Sequence, residues 1–210
     1  MSVGKYFFLI SISVLVLAGC HSVYDSSRSS GEGPIFIKTV PQRYSIMGKG
    51  AISENTLLNY LTRANKRISQ RKASYIVRTY IWECAYEGVN HDVAFAQMCH
   101  ETNFLRFGGD VSAVQNNFCG LGTTGNSVVG HCFPDIKTGI RAHVQHLKAY
   151  ASTKSLVNRC VDPRFALIKR GSARSVSELT GKWAIDGNYG RSLQKKIDAM
   201  IDMENKSRIK

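Results

Sequence analysis

Apolar residues recur at helical spacing along most of the chain, and this periodicity limits the folds that the chain can adopt. Ser53 is a suitable N-cap for a first helix, and Gly88 is a suitable stop for a second. The residues from Val93 to Cys99 are apolar on more than one face, which predicts a central, buried helix that ends near Glu101. The expected helices cover residues 53–68, 74–88, 90–101, about 138–151 and about 193–201.

Residues 106–134 interrupt this pattern. They are rich in glycine, asparagine, serine and threonine, and helical signals are absent from them. We interpret them as a loop region or a small β-hairpin. The sequence therefore predicts an α+β protein that is mostly helical, with one small irregular or β-hairpin lobe.

The first 19 residues resemble a signal peptide of the lipoprotein type. Lys5 supplies a basic start, residues 6–17 are nearly all apolar, and Leu17-Ala18-Gly19-Cys20 forms a lipobox pattern. The alternative is a membrane-spanning helix, but spanning needs about 20 apolar residues. We expect cleavage before Cys20 and lipidation of its thiol, which would place the protein in the cell envelope as a lipid-anchored membrane lipoprotein.

Residues 20–43 are expected to form a flexible tether because serine, glycine and proline dominate them. An alternative is that Ile35-Phe36-Ile37 forms a short strand on the domain. Residues 44–205 are expected to form one domain, which suits the length of the chain. We expect a monomer.

The chain has a formal net charge of +13. Lys5 is the only charged residue of the predicted signal peptide, so its removal leaves the domain strongly basic. A strongly basic exported domain favours polyanionic partners, including the carboxylates of peptidoglycan stem peptides, teichoic acids and lipid head groups. Nucleic acid is disfavoured by the predicted location. The alternative is that the excess basic residues only keep the surface soluble.

Five cysteines follow Cys20, and none of them forms a Cys-x-x-Cys pair or has histidines at metal-ligand spacing. We therefore expect no metal site and no cofactor. An oxidising compartment permits disulfides. Cys119 and Cys132 flank a glycine-rich stretch, and we predict that they pair, because a bridge there would remove chain entropy worth about 3 kcal/mol.

Glu101 is the charged residue whose setting most needs an explanation, because charged side chains are seldom buried without a partner. Helical spacing puts Ala96, Gln97, His100 and Phe104 on its face. Apolar neighbours raise the pKa of a carboxyl group, as a general acid for glycoside cleavage requires. The alternative is a structural glutamate that caps the helix or pairs with Arg106 or His100.

Several motifs occur in the order and spacing of one known family. The chain over about residues 44–202 resembles the glucosaminidases of glycoside hydrolase family 73. The motifs are Ser45-Ile46-Met47-Gly48, residues 94–104, Phe107-Gly108-Gly109-Asp110, residues 115–122, Phe133-Pro134-Asp135-Ile136, residues 138–151, residues 161–165, Gly181-Lys182-Trp183-Ala184 and Tyr189-Gly190.

The resemblance implies a lysozyme-like fold and hydrolysis of the β-1,4 bond on the reducing side of N-acetylglucosamine in peptidoglycan. It implies that Glu101 is the general acid and that Tyr189 orients the acetamido group of the reacting sugar. The matches to cleft-lining, substrate-binding positions are Phe104, Asn117, Gly120 and Trp183. Phe104, Trp183 and Tyr189 could instead be ordinary core residues, and Asn117 could instead cap its own loop.

The chain departs from family members that place a second glutamate in the lobe, because no glutamate occurs between Thr102 and Ser177. Of the aspartates there, Asp135 is expected to cap a helix and Asp162 to pair with an arginine. Asp110 remains as a candidate second catalytic carboxylate, although an aspartate in a tight turn often binds backbone amides. If it does so here, the acetamido group of the substrate can supply the nucleophile.

Two other functions fit the same residues. A lytic transglycosylase shares the fold and the single glutamate but forms an anhydro product. A non-catalytic wall-binding lipoprotein could retain the fold without turnover.

Overall fold

The computed structural model describes residues 41–109, 111–123 and 130–209. The predicted signal peptide, the lipidated Cys20, the tether up to residue 40 and the short strand at 35–37 lie outside these residues. Five α-helices account for most of the described chain, which confirms the mostly helical prediction. They are α1 (Glu54–Ala64), α2 (Gln70–Glu87), α3 (His91–Glu101), α4 (Ile136–Ala151) and α5 (Tyr189–Arg208).

The β part of the predicted fold is not found in the described residues, which contain no strand longer than a single bridge. Three isolated bridges are present: Ser45 with Ser175 and Met47 with Val89, which join distant segments, and Thr180 with Ala184, which closes a local turn. The described parts of the glycine-rich lobe consist of turns, with one short 3₁₀ turn at Ala113–Gln115. Residues 124–129, where a hairpin tip was expected, lie outside the described chain.

Local capping explains where the first two helices begin and end. The side chain of Ser53 accepts a hydrogen bond from the Thr56 amide, so α1 starts where the sequence predicts. Helix α1 stops at Ala64, before the predicted Ile68, because Asn65 is extended. Ser69 caps α2, which therefore begins earlier than predicted. Gly88 ends α2 in the left-handed conformation, as predicted.

Helix α3 is the central helix of the fold, as the sequence predicts. It packs against α2, α4 and α5, and its residues from Asp92 to Cys99 are all buried. Asn90 caps its N-terminus by accepting a hydrogen bond from the Asp92 amide. Burial all round α3 fixes Glu101, its last residue, at the edge of the core.

Helices α2 and α4 are joined by two ion pairs at the edge of the core. The ammonium group of Lys148 lies 2.8 Å from Oε2 of Glu87, and both side chains are nearly inaccessible. The Arg141 guanidinium donates two hydrogen bonds to the buried carboxylate of Glu83. Buried charges are tolerated when they are paired in this way.

The glycine-rich lobe is attached directly to α4. A β-carbon at Gly139 would lie 1.8 Å from the Asn116 carbonyl oxygen, so only glycine permits this close approach. Asp135 caps α4 through the Thr138 amide, which confirms its predicted role. The lobe is therefore held against α4, which itself packs on α2 and α3.

Across residues 41–109, 111–123 and 130–209, every helix is too short or too polar to cross a membrane.

Candidate active site

Glu101 is the last residue of α3, and its carboxyl group is largely removed from water. Burial raises the pKa of Glu101, and hydrogen bonding from the Tyr189 hydroxyl and the Trp183 indole offsets part of this rise. Arg106, a predicted alternative partner, binds Asn103 and the Ala64 carbonyl instead. Glu101 therefore does not pair with Arg106. Burial thus favours the protonated form of Glu101, which is the form that a general acid needs.

Tyr189 makes the direct contact with Glu101. It is the first residue of α5 and is 2% exposed. Its hydroxyl donates a hydrogen bond to Oε1 of Glu101 and accepts one, at 2.6 Å, from the Gln97 side-chain amide. The edge of its ring lies against His100, with ring centroids 5.3 Å apart. Its hydroxyl proton is therefore committed to the carboxyl group of Glu101.

The hydrogen bonds continue from Gln97 into the core. Oε1 of Gln97 lies 2.9 Å from Nε2 of His143, and Nδ1 of His143 lies 2.9 Å from the Tyr80 hydroxyl. Because Gln97 offers an oxygen here, His143 carries its proton on Nε2 and accepts from Tyr80 at Nδ1. We call Tyr80, His143, Gln97, Tyr189 and Glu101 the buried hydrogen-bond chain; every proton in it points towards Glu101.

His143 is neutral within this chain. It is fully buried between α2 and α3, and burial lowers its pKa to about 3. A neutral imidazole has one donor and one acceptor, which matches its two partners. The buried hydrogen-bond chain therefore brings no formal charge near the carboxyl group.

Gly120 faces the other oxygen of Glu101. A β-carbon at Gly120 would lie 3.9 Å from Oε2, and the backbone there has a φ of 67°, in the left-handed region. A larger residue would be strained and would narrow the approach to that oxygen. Oε1 is thus bound to Tyr189, while Oε2 faces the lobe.

Trp183 lines the cleft beside Gly120. Its half-buried ring packs against His146, with centroids 5.0 Å apart, and against Tyr150 at 5.7 Å. Trp183 and Gly120 line a cavity of about 170 Å³, together with Tyr150 and Arg164. An aromatic ring with one packed side and one open side suits contact with a sugar.

Comparison with known proteins assigns the chain to a family. The family model described as mannosyl-glycoprotein endo-beta-N-acetylglucosaminidase (Glucosaminidase) matches residues 77–202, which include Glu101, Gly120, Trp183 and Tyr189. The chain belongs to the glucosaminidase family. This confirms the family predicted from the motifs and supports a glycoside hydrolase that acts on peptidoglycan.

One curated relative covers most of this glucosaminidase-family chain. It is an uncharacterized protein of Borreliella burgdorferi, 42% identical over 160 residues, which make up 76% of this chain and 78% of the relative. No solved structure matches the chain.

Asn117 does not face the cleft of this glucosaminidase-family domain. It is fully buried, and its amide group donates to the carbonyls of Leu121 and His131 while accepting from the Leu121 amide. These bonds hold the loop around Gly120. The structure therefore favours the alternative in which Asn117 caps its own loop over direct sugar binding.

Phe104 lies in an unusual turn that follows Glu101. Asn103, Phe104 and Leu105 have φ values of 48°, 58° and 60°, which are costly for residues with side chains. The Asn65 side chain binds the Phe104 carbonyl at 2.9 Å, and Thr102 accepts from the Leu105 amide. The half-buried Phe104 ring packs on Tyr60 of α1, with centroids 5.5 Å apart. The turn thus directs the Phe104 ring towards α1.

The structure describes Asp162 but not Asp110, the two remaining aspartates considered from the sequence. Asp162 is buried and binds His146 at 2.7 Å and the Arg164 amide at 2.8 Å. The predicted pairing with an arginine side chain is therefore wrong, because the imidazole of His146 is the group that α4 brings to it. Asp110, the predicted second carboxylate, lies outside the described residues.

The predicted disulfide is absent from the structure. Cys119 and Cys132 are both free thiols. Cys119 is buried in a small cluster with Leu121, Phe133 and Ala142, whereas Cys132 is exposed. The two side chains occupy different environments, so the prediction that they pair is not borne out.

The sequence predicted Glu101 and Tyr189 as site residues but not the other three members of the buried hydrogen-bond chain, Tyr80, Gln97 and His143. Gln97 lies one helical turn before Glu101, and its helical spacing already placed it on the same face. His143 lies in a motif on α4, and its only sequence signal is a polar residue within an apolar stripe. Neither signal indicates which partner each residue meets.

Proposed function

We propose that the protein hydrolyses the β-1,4 bond on the reducing side of N-acetylglucosamine in peptidoglycan, with Glu101 as the general acid. The observation that carries this proposal is the setting of Glu101: a carboxyl group of raised pKa that is bound through Oε1 to Tyr189 and faces the Gly120 loop through Oε2. Family membership supports the same chemistry.

The geometry favours Oε2 as the oxygen that delivers the proton. Oε1 accepts the Tyr189 hydrogen bond, so a proton there would compete with that donor. Oε2 faces Gly120, where the absence of a side chain leaves room for the glycosidic oxygen. Tyr189 then acts by orienting Glu101, and its remaining lone pair can accept a hydrogen bond from the substrate acetamido group.

We infer a substrate-assisted route. The acetamido oxygen of N-acetylglucosamine attacks the anomeric carbon while Glu101 transfers its proton to the leaving oxygen, which gives an oxazolinium ion, whose nitrogen keeps its proton, and a free sugar hydroxyl. Water then adds to the anomeric carbon and opens the oxazolinium ring, and the Glu101 carboxylate takes up the proton that water releases. Asp162 and Asp135 are both engaged in structural hydrogen bonds, which supports a route with one essential carboxylate.

Digestion of purified peptidoglycan with product analysis by mass spectrometry tests this function. We expect products with reducing-end N-acetylglucosamine. Glu101→Gln should reduce the rate by about 100- to 10,000-fold without loss of folding. Products ending in 1,6-anhydromuramic acid would identify a lytic transglycosylase, and binding without turnover would identify a wall-binding lipoprotein. Near-full activity of folded Glu101→Gln would exclude Glu101 as the acid.

Asp110 is tested separately. If the route is substrate-assisted, Asp110→Asn should cost far less activity than Glu101→Gln, and Tyr189→Phe should fall between them. An equally large loss in a folded Asp110→Asn protein would make Asp110 the second catalytic carboxylate.

We propose that the enzyme acts in the cell envelope, anchored to the membrane by lipid on Cys20. The lipobox at Leu17-Ala18-Gly19-Cys20 supports this location. Labelled palmitate should be incorporated into the full chain, and Cys20→Ser should abolish incorporation and release the protein from the membrane fraction. Equal labelling of both proteins would refute the anchor.

A further inference from the structure

Helix α2 exposes three large aromatic side chains, and Tyr86 is the one that does not line the groove described below. The other two, Tyr75 and Trp82, share one groove on the outer face of α2. Tyr75 is 49% exposed and Trp82 is 63% exposed. They are seven residues apart, which places them on one stripe and about 10 Å apart along the helix axis. Single exposed aromatics are ordinary, but several together on one face indicate a binding surface.

A groove runs beside this stripe. It encloses about 790 Å³ and is lined by Tyr75 and Trp82, by Arg71 and Lys72, and by Ser74 of α2. This volume falls in the range of small-molecule binding sites, which is roughly 300 to 1,000 Å³. Aromatic rings, cations and hydroxyl groups therefore meet in one groove.

The groove is basic and continues around the start of α2. A second cavity, of about 830 Å³, shares Ser69 and Lys72 with the groove and reaches Arg106, on the turn that follows Glu101. Among the described residues that line these two cavities there is no aspartate or glutamate. Arg78 is paired with Glu54 at 2.6 Å. Within the part of the chain that the structure describes, the other cations that line the two cavities have no acidic partner; they are Lys66, Arg67, Arg71, Lys72 and Arg106.

This groove is separate from the Glu101 cleft. On α2, Tyr80 points into the core and binds His143 of the buried hydrogen-bond chain. Trp82 is two residues further on, about 200° around the helix, so it faces the opposite way. A glycan that occupies the cleft at Glu101 does not fill the groove on the outer face of α2.

We propose that the groove on the outer face of α2 binds a second segment of peptidoglycan, outside the catalytic cleft. Tyr75 and Trp82 stack on the apolar faces of the sugars, and Arg71 and Lys72 bind the carboxylates of the stem peptides. A long groove with separated aromatic rings suits a chain-like anionic glycan better than a flat lipid surface. The inference rests on the proposed function for its ligand, and it adds a site that holds the enzyme on the wall.

Co-sedimentation with purified sacculi tests the groove, in the full chain carrying Glu101→Gln so that the wall stays intact. Tyr75→Ala with Trp82→Ala should weaken binding about tenfold or more, as loss of aromatic anchors does. Tyr86→Ala is the matched control, because Tyr86 is 61% exposed on the same helix but does not line the groove. It should bind as the parent does, and thermal unfolding should show all three proteins folded.

Two outcomes would overturn the proposal. One is equal binding of sacculi by the double variant and its parent. The other is that the double variant binds sacculi as its parent does but loses binding to phosphatidylglycerol vesicles, which would assign the groove to lipid. Failure of the proposed function has a different signature: the unmodified chain would leave peptidoglycan uncut, whatever the binding assay shows.

Discussion

The Tyr189 hydroxyl donates a hydrogen bond to Oε1 of Glu101, although the two residues are 88 positions apart in the sequence. This bond joins the first residue of α5 to the last residue of α3. The carboxyl group is therefore held by two helices, and its second oxygen is left for the substrate. The predictions below test this arrangement and the packing that supports it.

Tyr189→Phe removes the donor to Glu101 and leaves the ring in place. A hydrogen bond to a carboxylate favours its charged form, so its loss should raise the pKa of Glu101 further. Because the acid must be protonated, the alkaline limb of activity should move to higher pH. The maximal rate should fall by about 10- to 100-fold, as expected for loss of a hydrogen bond to a charged group. Initial rates of wall hydrolysis across pH measure both effects, and an unchanged pH profile would contradict the assignment.

Glu101→Gln should make the protein more stable at neutral pH. Burial raises the pKa of Glu101 in the folded state above its ordinary value of 4.5. The folded state then binds more protons than the unfolded state, so stability falls as pH rises from 4.5 through the folded pKa. Glutamine carries no such dependence. The difference in Tm between the two proteins should be largest above the folded pKa of Glu101 and should shrink below pH 4.5. A difference that stays constant with pH would refute the claim that ionised Glu101 destabilises the fold.

Gln97→Leu should weaken both folding and catalysis. It leaves the Tyr189 hydroxyl without its donor and Nε2 of His143 without its acceptor, in a fully buried place. Each of these two unsatisfied groups costs about 1–3 kcal/mol, so we expect a loss of about 2–6 kcal/mol in the free energy of unfolding. Met98→Leu, on the same helix, is a matched control for core volume.

Denaturant unfolding and the pH profile of activity separate the two effects of Gln97→Leu. A misplaced Tyr189 should shift the alkaline limb of the profile as well as the rate. If the variant loses stability but keeps the wild-type profile, Gln97 has only a packing role.

Lys148→Met should destabilise the fold by about 3–5 kcal/mol because it leaves Glu87 buried without a cation. Burial alone would raise the pKa of Glu87, but bonds from Lys148 and from the backbone amides of Val157 and Asn158 outweigh it and lower the pKa. Adding Glu87→Gln should recover part of the loss, since a neutral amide needs no counter-ion. Urea unfolding measures the free energy of unfolding of both variants. If the Lys148→Met, Glu87→Gln double variant is less stable than Lys148→Met alone, this explanation is wrong.

The cysteines should differ in reactivity in the folded protein. Cys132 is exposed, so iodoacetamide should modify it. Cys119 is buried, and burial raises the pKa of its thiol well above the ordinary value, so it should react only after unfolding. Peptide mapping of native and unfolded protein measures this order. A peptide that links Cys119 to Cys132 without reduction would restore the disulfide predicted from the sequence.

The sequence by itself determined the parts of this protein that depend on local chemistry. Helical periodicity, the N-cap Ser53 and the stop Gly88 located the first three helices within a few residues, because capping involves neighbours in the chain. The ordered motifs around Glu101 and Tyr189 determined the family. The predictions that failed concern contacts at a distance: the partner of Asp162 and the pairing of Cys119.

The tertiary structure alone decided how Glu101 is held. Nothing local joins Tyr80, His143, Gln97 and Tyr189, which come from four helices and meet only when α3 is enclosed by its neighbours. Likewise, the role of Asn117 depended on which carbonyls its loop brings within reach. Hydrogen-bond partners in a core are set by packing, because a buried polar group must use whatever donors and acceptors the surrounding elements supply.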